Sequence, residues 1–393
     1  MSFYEFFCPV KVLAGTSALE HMAFELRALG AERPMIVTDK GVVAVGLLEH
    51  VTTALEEGGI EVGAIFDDVP PDSSTRIVTQ GAQIWRDSKC DSIIAVGGGS
   101  VMDTSKGINI LASENASDLA AYTGAGALKR PLRPSFAIPT TAGTGSEVTL
   151  VAVISDKDRG VKLPFASPFL LPNAAIVDPR MTMSLPPHLT AATAMDAMTH
   201  AIEAYICMAK NPISDAYATA AIKKISENLL AVIDDPKNVE GRLALAEAAT
   251  MAGIAFSNSM TGVVHSIGHQ LGALCHLHHG ACMSLLLPYA LEYNLEASAQ
   301  DIGELLLYLE GAESYARTPA PERARAAIRS IRRMRDQLHE RCGLPRTLTE
   351  THKVEKEQLP TLARMTLDDG ALAFNPVEVD YEDALGLLER AWA

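Results

Sequence analysis

The sequence predicts a two-part fold, an α/β domain with a mostly parallel sheet over residues 1–183 followed by an all-α domain over residues 184–393. In the first part, short apolar runs alternate with amphipathic stretches, which is the pattern of βαβ units. After about Pro179, alanine-rich segments with a helical period replace the strand signals. A chain of 393 residues is also too long for one compact core, which favours two domains.

The elements of the first part follow one another in a regular order. After a strand or hairpin in "FYEFFCPVKVLAG", strands are predicted in "PMIVTD", "IEVGAIFDD", "DSIIAVGGGS", "SFAIP", "LVAVISD" and "NAAIVDP". Helices are predicted in "SALEHMAFELRALG", "GVVAVGLLEHVTTALEEGG" and "RIVTQGAQIWRDSK". Parallel strands need helical crossovers, so we expect helices on both faces of the sheet.

Composition and charge exclude several classes of function. The formal net charge of −15 disfavours nucleic acid and anionic membranes as partners. No window approaches the ~20 continuous apolar residues that a membrane helix needs. The six cysteines contain no CxxC pair, which disfavours a zinc knuckle or a disulfide framework and fits a reducing compartment. The N-terminus lacks a secretion signal, so we expect a cytoplasmic protein.

An aspartate and a histidine share one face of the apolar segment "AMDAMTHAIEAY". At their i, i+4 spacing, Asp196 and His200 lie one helical turn apart, and Glu203 extends the same face. Such a pair can simply be an ion pair or a hydrogen-bonded pair in a core. It can also hold a metal ion, and this interpretation requires further ligands.

Further histidines follow in "GVVHSIGHQLGALCHLHHGACMS". Five of the 11 histidines of the chain fall within fifteen residues here. Packing alone does not explain this density, because an unpaired imidazole is costly to bury. One carboxylate with several imidazoles suits Fe(II) or Zn(II) better than Mg(II) or Ca(II), although some of these histidines can lie beside an ion or at the surface. The five are His265, His269, His276, His278 and His279.

Two loops in the first part suit a nucleotide. In "IIAVGGGSVMDTSKGI" a glycine-rich turn follows a strand, and the amides of the next helix N-terminus could hold a pyrophosphate, although such turns also occur without a ligand. A second loop, "PTTAGTGSE", offers hydroxyls at the end of the neighbouring strand. Two such loops at strand carboxyl ends define the crevice in which open α/β sheets bind ligands. The candidate residues are Gly97, Gly98, Gly99, Ser100, Thr140, Thr141 and Thr144.

Asp39 ends the strand "PMIVTD". A carboxylate there can accept hydrogen bonds from ribose hydroxyls and would repel a 2′-phosphate, which favours NAD over NADP. The residue can equally be a turn aspartate before Gly41. In the usual dinucleotide fingerprint the acid follows the glycine loop by about 20 residues, whereas here it precedes the loop, so this is not the common Rossmann arrangement.

Taken together and in this order, the motifs resemble the iron-containing (group III) alcohol dehydrogenase family over nearly the whole chain. The matching pieces are "VTDKG", "IIAVGGGSVMDTSKGI", "IPTTAGTGSEVT", "MDAMTHAIEAY", "GVVHSIGHQLGA" and "HHGACMS". The resemblance implies metal ligands at Asp196, His200, His265 and His279, the last because the fourth ligand of the family directly precedes a glycine. It places His269 near the reacting centre, either as a proton shuttle or in a structural role beside the ligands.

The resemblance also implies the cofactors and the reaction. It assigns Asp103 and Lys162 to the NAD site beside Asp39 and the two loops. We therefore expect an α/β dinucleotide-binding domain, an all-α metal-binding domain, a cleft between them and a homodimer paired through the N-terminal strands. The expected cofactors are NAD and a divalent metal, Fe(II) before Zn(II). The expected reaction is reversible hydride transfer between a small primary alcohol or diol and NAD.

Three other functions stay open as alternatives. A dehydroquinate synthase-like cyclase would need a cluster of Lys and Arg near the metal, and the segments around the ligands show none. A metal-dependent hydrolase would leave the glycine and threonine loops without a role. An NAD-binding regulatory protein would have no use for a complete set of ligands.

Overall fold

The computed structural model describes residues 3–393, which form two compact units. One unit is Cys8–Leu185, and the other is Pro186–Ala393 together with residues 3–7. These first residues group with the C-terminal unit because the Phe7 N–H donates to Asn258 Oδ1 at 2.7 Å and the Phe6 ring stacks on Tyr217 at 5.9 Å between centroids.

Nine strands form two sheets in the N-terminal unit. The strands are β1 (Lys11–Ala14), β2 (Pro34–Val37), β3 (Ala64–Phe66), β4 (Ser92–Gly97), β5 (Gly124–Ala125), β6 (Ser135–Pro139), β7 (Val151–Asp156), β8 (Val161–Ala166) and β9 (Ala174–Val177). Six of them form a parallel sheet in the order β1-β9-β6-β4-β2-β3. The other three form a smaller sheet in the order β5-β8-β7, in which β7 and β8 are antiparallel. The predicted mostly parallel sheet is confirmed.

The central strands are apolar throughout because both faces of the large sheet are covered. Every residue of β2, β4 and β9 is buried. Successive side chains point to opposite faces, so Met35 and Ile93 join one hydrophobic cluster whereas Ile36 and Ile94 join the other.

Five helices accompany these strands, and they depart from the prediction in one place. They are α1 (Met22–Ala28), α2 (Lys40–Ala44), α3 (Leu47–Glu57), α4 (Thr75–Asp87) and α5 (Gly99–Glu114). The single helix predicted over residues 41–59 is wrong: it is split into α2 and α3, because Gly46 adopts a left-handed backbone with φ 78°. The sequence also missed β8, whose pattern is interrupted by Pro164, and the first predicted strand begins only at Lys11.

The C-terminal unit is helical, and residues 186–393 contain no strand. Its helices are α6 (Pro187–Ile206), α7 (Pro212–Asp234), α8 (Val239–Ser257), α9 (Val263–Cys275), α10 (His279–Tyr293), α11 (Ala299–Arg317), α12 (Ala320–Cys342), α13 (Leu359–Thr366) and α14 (Tyr381–Arg390). The predicted all-α second part is confirmed. Helix α6 is buried on every side from Thr190 to Ile206, and α7, α8 and α10 pack around it. Within residues 3–393, no helix has the length and apolar character needed to cross a bilayer.

Candidate functional site

Three polar side chains project into the packed interior from α6. Asp196, His200 and Glu203 are 2%, 6% and 3% exposed. Their i, i+4 and i+7 positions put them on one face of the helix. Burial of polar groups is costly unless each finds a partner, so this face must be completed by other elements.

A glycine allows α10 to bring His279 to this face. A Cβ on Gly280 would lie 2.2 Å from the carbonyl oxygen of Ala192, so at this point α10 approaches the backbone of α6 too closely for any side chain. His279 is the first residue of α10, and its Nε2 lies 3.3 Å from Asp196 Oδ1. The glycine that follows His279 in the sequence is therefore required by the close packing of α10 on α6.

Helix α9 brings His265 to the same carboxylate oxygen. His265 Nε2 lies 3.9 Å from Asp196 Oδ1, and the candidate ligand atoms of Asp196, His265 and His279 all lie within 4.8 Å of one another. His200 falls outside this group of three, although its Nδ1 lies 3.7 Å from Asp196 Oδ1. The three histidines that the resemblance assigned as ligands thus lie around one oxygen of the fourth ligand, Asp196.

The ring of His200 is held between two neighbours. On one side it stacks on Phe256 of α8, with the ring centroids 4.2 Å apart and the planes 16° from parallel. On the other side the ring of His265 lies 4.3 Å away. This packing leaves the imidazole of His200 little freedom to turn.

The inner atoms of the cluster have no hydrogen-bond partner. Asp196 Oδ1, His200 Nδ1 and His265 Nε2 are all buried without a hydrogen bond, and the ion-pair contact of Asp196 Oδ1 with His279 Nε2 spans 3.3 Å. An unsatisfied buried polar atom costs about 1–3 kcal/mol, so three around one point need a common explanation. A divalent cation would satisfy all three, and one carboxylate with imidazoles is a donor set that suits Fe(II) or Zn(II). The residues present therefore fit the expected ion.

Burial keeps the cluster in the protonation state that ligation requires. It lowers the pKa of His200 to about 3 and holds the pKa of His265 well below its ordinary value, so both imidazoles are neutral near pH 7. Burial alone would raise the pKa of Asp196, but the neighbouring imidazoles of His200 and His279 outweigh this effect and the pKa stays below its usual value. An ionised carboxylate thus faces neutral ring nitrogens.

His269 lies on the outer side of the cluster. Its side chain is 46% exposed, and its ring stacks on that of His279 with centroids 5.5 Å apart. Its Nδ1 lies 2.9 Å from Asp369 Oδ2, in the segment after α13. His269 does not belong to the group of candidate ligand atoms. Its position permits contact both with solvent and with the edge of the cluster.

The candidate cofactor residues of the N-terminal unit gather at one edge of the large sheet. Strand β4 pairs with β2 on one side and β6 on the other, so the loops that follow these strands are neighbours. A Cβ on Gly98 would lie 3.4 Å from Thr141 Oγ1, and one on Gly99 would lie 3.1 Å from Thr144 Cγ2. The two predicted loops are therefore in contact, and the first of them opens α5.

The two candidate aspartates already have partners within the chain. Asp39 is the N-cap of α2, and its Oδ1 accepts a hydrogen bond from the Val42 N–H at 3.0 Å. Asp103 accepts from Ser146 Oγ at 3.3 Å and from the Val153 N–H at 3.0 Å. Asp39 is thus the turn residue that the sequence also allowed, and capping occupies only one of its two oxygens.

The remaining candidates differ in exposure. Thr140 is buried, and its N–H donates to the carbonyl of Gly97 at 3.1 Å. Ser100 donates its hydroxyl proton to the carbonyl of Pro71. Lys162 lies exposed on β8 in the smaller sheet.

Comparison with known proteins decides the family. The model described as iron-containing alcohol dehydrogenase matches residues 9–179, and that of the C-terminal part of the Fe-containing alcohol dehydrogenase family matches residues 190–392. The chain belongs to the iron-containing alcohol dehydrogenase family. The NAD-dependent methanol dehydrogenase of Bacillus methanolicus is 35% identical over 387 residues, which cover 98% of this chain and 99% of that relative. The 1,3-propanediol dehydrogenase of Klebsiella pneumoniae is 37% identical over 394 residues, which cover 99% of each.

A solved structure of this family shares the whole fold. The crystal structure of a 1,3-propanediol oxidoreductase matches with a TM-score of 0.94 at 35% identity, covering 99% of this chain and 100% of that one. The predicted family, fold class and enzyme class are confirmed, as are the predicted cofactors, NAD and a divalent metal.

Two carboxylates of the family site received no role from the sequence. Glu203 Oε2 lies 2.6 Å from His265 Nδ1, and Asp369 pairs with His269. The sequence did contain a sign that Glu203 belongs to the site, since this residue follows Asp196 at helical spacing on the same face of α6. Asp369 carried none, because it lies 100 positions from its histidine along the chain.

Lys106 is a third residue that sequence reasoning missed. Its ammonium lies within 2.8–3.1 Å of five oxygens, which belong to Ser146, Thr149 and Val151. Burial lowers its pKa to about 8, whereas the negative charges of Asp103 and Glu147 favour the charged form. Lys106 thus joins α5, which follows the first nucleotide loop, to the segment that follows the second loop.

Proposed function

We propose that this protein catalyses reversible hydride transfer between a small primary alcohol or diol and NAD. The observation that carries the proposal is a set of buried atoms without hydrogen-bond partners, in which His200 Nδ1 and His265 Nε2 lie 3.7 and 3.9 Å from Asp196 Oδ1. The names of the relatives, a methanol dehydrogenase and a 1,3-propanediol dehydrogenase, support a small primary alcohol or diol as the substrate.

We assign the metal to Asp196, His200, His265 and His279, with Fe(II) before Zn(II). When bound, the metal supplies Lewis acidity toward the substrate oxygen, and NAD supplies the hydride chemistry. The chain holds this centre rigid: Phe256 fixes the ring of His200, and burial keeps water from the inner face of the cluster.

We assign the exchange of the substrate proton to His269. Its Nδ1 is engaged by Asp369, which leaves Nε2 to pass a proton between the reacting centre and solvent. The half-exposed position of the side chain supports this role.

We assign NAD binding to residues 1–183 and metal binding to residues 184–393. Backbone amides at the start of α5 suit the pyrophosphate, and the free oxygen of Asp39 suits a ribose hydroxyl. The other proposed contacts are Gly97, Gly98, Gly99, Ser100, Asp103, Thr140, Thr141, Thr144 and Lys162.

We also infer that the protein is a cytoplasmic homodimer. Strand β1 lies at one edge of the large sheet, so it can pair with β1 of a second copy. Val12 on this strand is 41% exposed. The six cysteines are all free, which suits a reducing compartment. Sedimentation equilibrium measures the assembly, and a monomer would contradict the dimer.

Substitution of His265 by Ala tests the function directly. We expect the variant to lose bound metal and at least about 10³-fold in activity, on the scale of losing a transition-state electrostatic contact. NAD affinity should be unchanged. Metal analysis, turnover and an NAD titration measure the three quantities.

His276→Asn is the matched control, because His276 is exposed and its left-handed backbone tolerates Asn. It should keep metal and activity. Full activity of His265→Ala would contradict the ligand assignment.

A substrate panel tests the reaction class. Short-chain alcohols, diols and aldehydes are assayed with NAD(H) and NADP(H) after the protein is stripped and reloaded with Fe(II) or Zn(II). Turnover with NAD(H) is expected. Absence of turnover with every compound would favour the cyclase or the hydrolase.

A further inference from the structure

Glu203 is a buried carboxylate that is neither a proposed metal ligand nor part of the nucleotide loops. Its Oε2 accepts a hydrogen bond from the Gly262 N–H at 3.0 Å and lies 2.6 Å from His265 Nδ1, and its Oε1 accepts from the Val264 N–H at 2.7 Å. Glu203 therefore contacts both the first turn of α9 and the imidazole that this turn carries.

The two backbone contacts decide the direction of the third. A backbone N–H can only donate, so each oxygen of Glu203 accepts one hydrogen bond, and these two bonds favour the ionised carboxylate, which has no proton to donate. His265 Nδ1 must then carry the proton that it shares with Oε2. A neutral imidazole has one N–H, so Nε2 is left with a lone pair. This is the nitrogen that faces Asp196 Oδ1 at 3.9 Å without a hydrogen-bond partner.

We propose that Glu203 is a positioning residue that fixes the tautomer and the ring orientation of His265 and thereby sets the metal affinity of the site. This inference rests on the proposed ligation by His265. With the proton on Nε2, the lone pair would point at Glu203 and away from Asp196. Carboxylates that orient metal-bound histidines in this way typically change metal affinity by about 10–100-fold.

The same helix provides a natural comparison. One turn after His265, His269 makes an equivalent contact with Asp369 through Nδ1 at 2.9 Å. His269 is half-exposed and lies outside the group of candidate ligand atoms. Asp369 is therefore expected to leave metal affinity unaffected, and Asp369→Asn is a matched control for a change at Glu203.

The experiment measures the Zn(II) affinity of stripped Glu203→Gln by competition with a chelator. Gln keeps the size of Glu, but its NH₂ group cannot accept an N–H, so the amide loses either the bonds from Gly262 and His265 Nδ1 or the bond from Val264. In the first orientation the contact with Nδ1 is lost or His265 is driven to the other tautomer, and in the second a neutral amide replaces the carboxylate that orients the ring. We expect the dissociation constant to rise by about 10–100-fold, with no change in Asp369→Asn. An unchanged constant in folded Glu203→Gln would overturn the proposal.

Two further readouts separate positioning from a structural role. If Glu203 only caps α9, Glu203→Gln would lower the melting temperature of the stripped protein and leave Zn(II) affinity intact, which would overturn the proposal. Positioning should also change the visible spectrum of the Co(II)-loaded protein, since that spectrum reports ligand geometry. An unchanged spectrum would count against it.

The wild-type protein itself keeps the proposal falsifiable if the variant does not fold. In the stripped protein, ¹H–¹⁵N spectra of the histidine rings should show His265 protonated at Nδ1, with the signal identified by its loss in His265→Ala. A proton on Nε2 would overturn the inference. If the wild-type protein bound no metal, the proposed function would fail instead, so the two failures are distinguishable.

Discussion

Polar atoms differ in their hydrogen bonding between two regions of the molecule. These regions are the metal cluster of the C-terminal unit and the nucleotide loops of the N-terminal unit. In the cluster, atoms of Asp196, His200 and His265 are buried without hydrogen-bond partners. In the loops, Asp39 and Asp103 already accept hydrogen bonds from the chain. The buried atoms of the cluster have no hydrogen-bond partner in the chain, whereas the two aspartates of the nucleotide site have one before a nucleotide arrives. This difference suits a metal that stays and a cofactor that must leave after each turnover.

The comparison predicts that the stability of the protein depends strongly on the metal. The nucleotide site should depend on the metal far less. A ligand that binds only the folded state stabilises it by about 4 kcal/mol at a concentration of 1,000 Kd and by about 2.7 kcal/mol at 100 Kd. An ion that also relieves three unpaired buried atoms should bind tightly enough to reach the upper value.

Removal of the metal should have the largest effect. We expect the stripped protein to lose its activity and about 4 kcal/mol of unfolding free energy relative to protein saturated with Fe(II) or Zn(II). Addition of NAD should still raise the melting temperature of the stripped protein, because the loops do not need the ion to fold. Thermal unfolding with and without NAD measures both effects, and loss of the NAD-induced shift would break the comparison.

Lys106→Met should have the next largest effect, on the other side of the comparison. The oxygens around Lys106 would lose the three N–H donors of its ammonium, so we expect a loss of about 3 kcal/mol of unfolding free energy. NAD affinity should fall because the segment after the second loop is no longer joined to α5. Metal affinity should not change.

Urea unfolding and parallel NAD and Zn(II) titrations measure these effects, and Lys129→Met, at an exposed lysine, is the control. Equal losses of NAD and metal affinity in Lys106→Met would contradict the separation of the two sites.

Asp39→Gly should shift cofactor preference toward NADP(H) by about tenfold, which corresponds to 1.4 kcal/mol. The stability cost should be only about 0.3 kcal/mol, because glycine is tolerated at an N-cap. Asp39→Asn keeps a capping oxygen and removes the charge, so it should show the same shift. Steady-state kinetics with both cofactors measures the ratio. An unchanged ratio in both variants would contradict a role of Asp39 in cofactor preference and leave it only the role of N-cap of α2.

Met260→Gly should have the smallest effect, in the loop that leads to α9. Met260 has a left-handed backbone with φ 79° and is 44% exposed. Replacement by glycine should raise the unfolding free energy by about 0.5 kcal/mol, since the relief of strain outweighs the freedom that the unfolded chain gains. Chemical denaturation of the stripped protein measures this. A loss of stability would show that contacts of the Met260 side chain outweigh the strain.

Local patterns were enough to predict most elements, and the failures have local causes. The buried strands β2, β4 and β9 and helix α4 follow from hydrophobic period alone. A predicted helix is split at Gly46 because a residue with a left-handed backbone cannot continue a helix. Strand β8 was not predicted because Pro164 interrupts its strand pattern. Residues 3–7 pack on distant helices, which no local pattern reports.

The candidate site was predictable where its residues are close in sequence. Asp196 and His200 were visible as a helical pair, and the glycine after His279 has a packing reason in its contact with Ala192. The partners Glu203 and Asp369 were not assigned, since their histidines lie 62 and 100 positions away.

The sequence by itself determined the family, the two-part fold and the kinds of side chain at the metal site, because these depend on local period, composition and short motifs. The tertiary structure alone decided which atoms meet. It brings His265 and His279 to Asp196 Oδ1, leaves Asp196 Oδ1 and His265 Nε2 without a hydrogen bond and turns Glu203 toward His265. The physical reason is that hydrogen-bond partners and burial are set by the packing of helices far apart in the chain, and the pattern of any one helix does not encode its neighbours.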